Sequence, residues 1–151
     1  MPEAAVNTRR AINAARSFFA AYDEHDVNRM LAACHGNAEL RYVPMGSDGQ
    51  GEVHSLGKTI WAGFIDTFPD LHVTVRSMFG DEWNVAAEVM IGGTQRKDLA
   101  YGQVRIPSQG KHYELPHAFL LRINESGLVT EVAAYWDNAS FYSQLGKTTL
   151  G

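Results

Sequence analysis

The sequence predicts an α+β fold, with helices towards the N-terminus packed on a mixed or antiparallel sheet made by the rest of the chain. Three observations carry this. Apolar residues recur at helical spacing in the first part of the chain and again over residues 59–68. From residue 71 the pattern becomes alternation broken by turn residues. Helices followed by a run of strands argue against alternating βαβ units. No linker-like stretch or repeat divides the chain, so residues 1–151 read as one domain.

Each element has its own signal. Ile12, Ala15, Phe19 and Tyr22 fall at threes and fours, with Phe18 widening the stripe, and Asn7 or Thr8 is placed to cap this first helix. Asp26 is the expected N-cap of a short second helix whose inner face carries Val27, Met30, Leu31 and Cys34, stopped by Gly36-Asn37. Residues 39–43 alternate as a strand ended by Pro44. Residues 46–57 hold four glycines and read as a loop. Ile60, Phe64 and Phe68 mark a third helix over residues 59–68, closed by Pro69-Asp70. Strands follow at 71–79 and 83–91, with a turn at Gly80-Asp81-Glu82 between them. Residues 95–110 read as a long connection. Residues 112–123 and 128–137 form a hairpin through Asn124-Glu125-Ser126-Gly127, and residues 138–145 form a short final helix.

Composition narrows the function. Apolar residues make up 45% of the chain and charged residues 20%, ordinary for a globular domain. A net charge of −4 and no basic run disfavour a nucleic-acid partner. No apolar run approaches the ~18 residues of a membrane span, and the polar first ten residues do not read as a signal peptide, so a cytoplasmic location is expected. The single cysteine, Cys34, cannot form an internal disulfide and reads as a small core residue. The six histidines lack metal-ligand spacing, and no phosphate-binding glycine motif is present.

Several local patterns carry a resemblance. Phe18-Phe19-Ala20-Ala21-Tyr22 runs into Glu24-His25-Asp26-Val27, and Phe68-Pro69-Asp70-Leu71 turns from helix to sheet. Gly93-Thr94, Gly102 and Ser108-Gln109-Gly110-Lys111 keep a matching spacing further on. Glu131, Tyr135-Trp136-Asp137 and Gln144-Leu145-Gly146 form the final strand and tail. In order and spacing, over residues 8–146, the chain resembles the nuclear transport factor-like superfamily and, within it, the SnoaL-like polyketide cyclases. The resemblance implies a cone: a strongly curved sheet against three N-terminal helices, a cystatin-like roll with a deep pocket. It also implies frequent homodimers through the outer sheet face. It further implies cofactor- and metal-free aldol closure of a polyketide ring, with a pocket aspartate as acid/base that falls on Asp137. The fold hosts many functions, so it does not fix the reaction.

Read from the residues, Asp137 follows an apolar strand. It is either a desolvated carboxylate suited to moving protons or the cap of the final helix. His117 is the second catalytic candidate. A three-residue loop with a left-handed Gly127 pairs Asn124 with Leu128 and sets His117 opposite Tyr135, with Asp137 diagonal to it. On that register Leu115, His117, Phe119, Leu121, Ala133, Tyr135 and Asp137 share a pocket-like face. Glu114, Arg122, Thr130 and Trp136 share the other, and a one-residue slip would move His117 to Trp136 and away from Asp137. Tyr135 and Tyr22 are candidate hydrogen-bond donors to a substrate carbonyl or enolate; Trp61, Phe64 and Phe119 are candidate walls, or equally core. Glu88 reads as an outer-face residue.

The expected function is a cofactor-independent cyclase, isomerase or lyase acting on a small apolar or aromatic carbonyl compound. The alternative is a non-catalytic domain that binds a small molecule or a protein. An epoxide hydrolase would need an Asp–Arg–Asp set around Arg41 or Arg76, and a dehydratase of the two-histidine kind would need a partner for His117.

Overall fold

A computed structural model describes residues 2–147. Helix α1 (Pro2–Asp23) buries Ala15, Phe18, Phe19 and Tyr22 as the sequence predicts, while Ile12 is only partly buried and Ala11 takes the inner place beside it. It begins before Asn7 and Thr8, and the Thr8 hydroxyl instead donates to the Ala4 carbonyl. Helix α2 (Val27–Ala32) is capped by Asp26, which accepts from the Arg29 amide at 3.0 Å. The helix stops earlier than Gly36-Asn37. Cys34 already opens strand β1 (Cys34–Tyr42), where burial pushes its thiol pKa up to about 12. Residues expected to be loop are ordered: a 3₁₀ segment (Val43–Gly49), strand β2 (Gln50–Glu52) and a π turn (Val53–Gly57) lead into α3 (Lys58–Thr67).

Strands β3 (His72–Asp81) and β4 (Asn84–Thr94) follow, joined through Glu82 rather than Gly80. The long connection contains a separate hairpin, β5 (Leu99–Tyr101) and β6 (Val104–Ile106). Strands β7 (His112–Ile123) and β8 (Val129–Tyr135) precede α4 (Asn138–Gln144). The main sheet has the order β2-β1-β8-β7-β4-β3, antiparallel except for the β1–β8 pair. The α+β class and mixed sheet are as expected, but two details of the cone differ. Two helices, not three, precede the first strand, because α3 is inserted after β2. The sheet bends at bulges without a strong curl.

The β7–β8 hairpin corrects the expected register. The turn itself forms as expected: the Asn124 carboxamide oxygen accepts from Ser126 and Leu128 amides, and Gly127 is left-handed at φ +82°. Ile123 then faces Val129, but a bulge at Thr130 sets Arg122 against Glu131 and Ala118 against Tyr135. One extra residue on one strand flips every later side chain of that strand relative to its partner. Trp136 therefore joins His117 on the inner side, ring centroids 5.2 Å apart, and Tyr135 points outward to accept from the Arg41 guanidinium at 3.0 Å.

Candidate functional site

Between the helices and the inner face of the sheet lies a small cavity of about 30 Å³, room for one or two waters. Alternation along β7 brings Tyr113, Leu115, His117 and Phe119 to it. Helix α1 contributes Tyr22, β1 contributes Tyr42, and Phe64 and Phe141 close it from α3 and α4. Its walls are apolar, and its polar groups are chiefly phenols and one imidazole.

Those groups differ in how they are used. The Tyr42 hydroxyl accepts from the Trp61 indole N–H at 2.7 Å. The Tyr22 and Tyr113 hydroxyls meet no hydrogen-bond partner among the described residues, although both side chains are buried. Burial pushes the phenol pKa values of Tyr22, Tyr42 and Tyr113 up, so all three stay protonated as donors. His117 Nδ1 lies 2.9 Å from the Leu115 carbonyl. A carbonyl can only accept, so Nδ1 carries the proton and Nε2 keeps its lone pair. Burial holds the imidazole pKa down to about 4, the Leu115 contact opposing, so the ring is neutral at pH 7. The site thus presents two unused donors and one unused acceptor.

Of the residues singled out from the sequence, Tyr22, Phe64, His117 and Phe119 line this cavity. Trp61 does not: it is fully buried, edge-on to Phe18 at 5.4 Å, and acts on the cavity through Tyr42. Tyr135 is outside because of the bulge. Asp137 is exposed at the N-cap of α4, where its carboxylate accepts from the Ser140 amide at 3.1 Å, and it is not paired with His117. Such a cap contributes ~1 kcal/mol. Arg41 lies on the outer face, bound to Tyr135 and 3.7 Å from Glu131. Glu88 is on that face too, opposite Ala118. Tyr113 was missed by the sequence reading. Carrying the alternation of Leu115, His117 and Phe119 two residues back would have found it.

No group of three or more His, Cys, Asp or Glu side chains among the described residues is placed to hold a metal ion. No helix among them is long and apolar enough to cross a membrane.

Comparison with known proteins agrees with this fold. No curated protein matches the sequence. Among solved structures, the chain is similar to a candidate SnoaL-like polyketide cyclase from Jannaschia sp. CCS1, at 14% identity and TM-score 0.79, covering 94% of each chain. It is also similar to an LEH-like epoxide hydrolase from M. tuberculosis, at 17% identity and TM-score 0.65, covering 91% of this chain and 90% of that one. A third is a hypothetical protein with a ketosteroid isomerase-like fold from Catenulispora acidiphila DSM 44928, in complex with trimethylamine. It shares 16% identity at TM-score 0.71, covering 88% of this chain and 92% of that one. The family profile of the SnoaL-like domain matches residues 15–132, and the chain belongs to that family.

Proposed function

We propose that the protein is a cofactor-independent enzyme acting on a small carbonyl compound, of the cyclase or isomerase kind. The observation that carries the reading is the set of Tyr22 and Tyr113 hydroxyls and His117 Nε2, unpartnered and lining one apolar cavity. A weakly basic imidazole suits a doubly activated carbon, as in a 1,3-dicarbonyl, better than a simple ketone. His117 Nε2 takes a proton from the carbon between two carbonyls. The electron pair moves onto a carbonyl oxygen held by Tyr22 and Tyr113. The enolate carbon then bonds to a further carbonyl carbon of the same molecule, one outside the 1,3-dicarbonyl unit, whose oxygen becomes an alkoxide and takes the proton back from His117. Holding one carbonyl at the phenols and the carbon beside it at His117 supplies the near-attack geometry. Asp137 keeps its place as a cap in this reading, and the proton role expected of it passes to His117.

The test is hydrogen–deuterium exchange at the central carbon of benzoylacetone, above the buffer rate. Tyr113→Phe and Tyr22→Phe are each expected to lose ~10²-fold or more, while Asp137→Asn keeps the rate. Loss in Asp137→Asn with normal rates in both tyrosine variants would return the proton role to Asp137. The second reading, a binding domain without turnover, is favoured by the engagement of Asp137 with Ser140 and predicts bound diketone with no enhanced exchange.

The same reading includes a homodimer through the outer sheet face. Phe79, Leu120 and Tyr135 are 66%, 45% and 37% exposed there and flank an open groove with Pro116 and Ala118. Contiguous apolar surface of this kind is costly to leave in water. Sedimentation equilibrium is expected to give a dimer mass for the wild type and a monomer for Leu120→Glu. A monomeric wild type at micromolar concentration removes this part of the proposal.

A further inference from the structure

The inner cavity, at about 30 Å³, is too small for any cyclisation substrate. A second and larger space lies beside it. Between α3, the 3₁₀ segment and the β5–β6 hairpin runs a groove of about 260 Å³. Its walls are largely apolar, with Met45, Leu56, Ile60, Leu99 and Tyr101 contributing. Together the two spaces approach the ~300 Å³ at the low end of small-molecule sites.

One side chain, Phe64, lines both. It is half-buried at the margin of the core, with ring centroids 6.2 Å from Phe68, 6.3 Å from Tyr101 and 6.4 Å from Phe141. These separations lie in the outer half of the 4.5–7 Å range for aromatic pairs, and one face of the ring borders each space. Beside it, Gly63 leaves the groove open, since a Cβ there would meet no atom within 4 Å. The polar lining is sparse, and Asp48 is the charged residue among it. A carboxylate at the rim repels an anionic chain end.

We propose that the site is bipartite. The inner cavity holds the carbonyl head, the groove beneath β5–β6 holds an apolar tail without a negative charge, and the Phe64 ring is the partition that turns aside to join them. The substrate class is therefore a ketone or 1,3-dicarbonyl bearing an alkyl or aryl tail. This inference rests on the carbonyl reading of the inner cavity.

The test uses the 2-alkanones from butanone to nonan-2-one as probes, with the intact protein followed by NMR at the His117 ring and at the Leu99 and Met45 methyls. For the wild type, affinity is expected to rise about four-fold per methylene, the equivalent of ~0.8 kcal/mol. Gly63→Phe fills the groove from the exposed face of α3. It is expected to flatten this series while leaving butanone affinity unchanged, with Gly63→Ala as the control for helix propensity. Equal chain-length dependence in Gly63→Phe and wild type overturns the bipartite site. So does a long ketone that moves His117 but neither groove methyl, and this leaves the carbonyl reading standing. Ketones that move the groove methyls but never His117 overturn the carbonyl reading instead. Nonan-2-one and its ω-carboxylate are compared last, and equal affinity for the two overturns the exclusion of anionic tails.

Discussion

Trp61→Ala is expected to destabilise the protein by about 3–5 kcal/mol, the range for deleting a large buried aromatic. For a chain of this length that corresponds to a fall in Tm of roughly 6–20 °C. The reason is position. Trp61 is fully buried between Phe18 and Tyr42, and its indole N–H donates to the Tyr42 hydroxyl at 2.7 Å. Truncation leaves a cavity and a buried hydroxyl without its donor. Trp61→Phe keeps most of the volume and loses the hydrogen bond, so it should cost less, ~1–3 kcal/mol. Thermal and urea unfolding of both variants check this. A Trp61→Ala protein as stable as wild type but deficient in diketone binding would make Trp61 a ligand wall rather than core.

His117→Gln is expected to flatten the pH dependence of stability between about pH 6.5 and 4. Burial lowers the imidazole from its ordinary 6.5 to about 4. Above pH 6.5 the ring is neutral in both folded and unfolded chains, and it neither adds nor removes stability as pH changes. Between 6.5 and 4 the unfolded chain binds a proton that the folded chain refuses, so stability falls as pH falls. The loss is complete once pH drops through the folded value, and amounts to about 3 kcal/mol. Glutamine can still donate to Leu115 but does not titrate. Other groups act in the same region: His72 is raised mainly by its hydrogen bond to Glu114, while at Asp70 and Glu114 desolvation, the largest single cause, raises the carboxyl and is outweighed by several hydrogen bonds that lower it. The comparison between wild type and variant cancels them. Parallel stability curves from pH 7 to 4 would show that His117 is not held neutral by burial, and would remove the acceptor from the proposed chemistry.

The value near 4 also sets an expectation for catalysis. An imidazole this weakly basic is ready to accept a proton at every pH above about 5, and its limited basicity restricts it to acidic carbon. The phenols have the opposite bias, staying protonated to high pH, which in the proposed chemistry suits them to donate to a developing enolate. One cause acts on both: burial disfavours a cation at His117 and an anion at Tyr22 or Tyr113.

Much of the architecture was legible in the sequence because it depends on local rules. Helical spacing from Ile12 to Tyr22 placed α1, Asp26 capped α2 as expected, and Asn124-Glu125-Ser126-Gly127 made its turn. Alternation along Leu115, His117 and Phe119 put these residues on one face, and all three line the cavity. Each rests on contacts between residues a few positions apart, which a sequence displays directly.

What escaped the sequence depends on where separate segments meet. The bulge at Thr130 decides that Trp136 faces His117 while Tyr135 faces Arg41, and nothing in the alternation of either strand marks it. Asp137 was consistent with either a cap or an acid, and the placement of α4 against the sheet made it a cap. Whether Trp61 walls a ligand or fills the core turned on Tyr42, nineteen positions away in the chain, and Phe64 sits between two spaces because α3, the β5–β6 hairpin and α4 converge on it. The sequence by itself determined the long helices α1 and α3, the β7–β8 turn, the inner face of β7 and the lack of a basic run. The tertiary structure decided register, the size of the cavity and which polar atoms are left without a partner. Those follow from packing between distant segments, where one inserted residue or one ring changes what every neighbour touches.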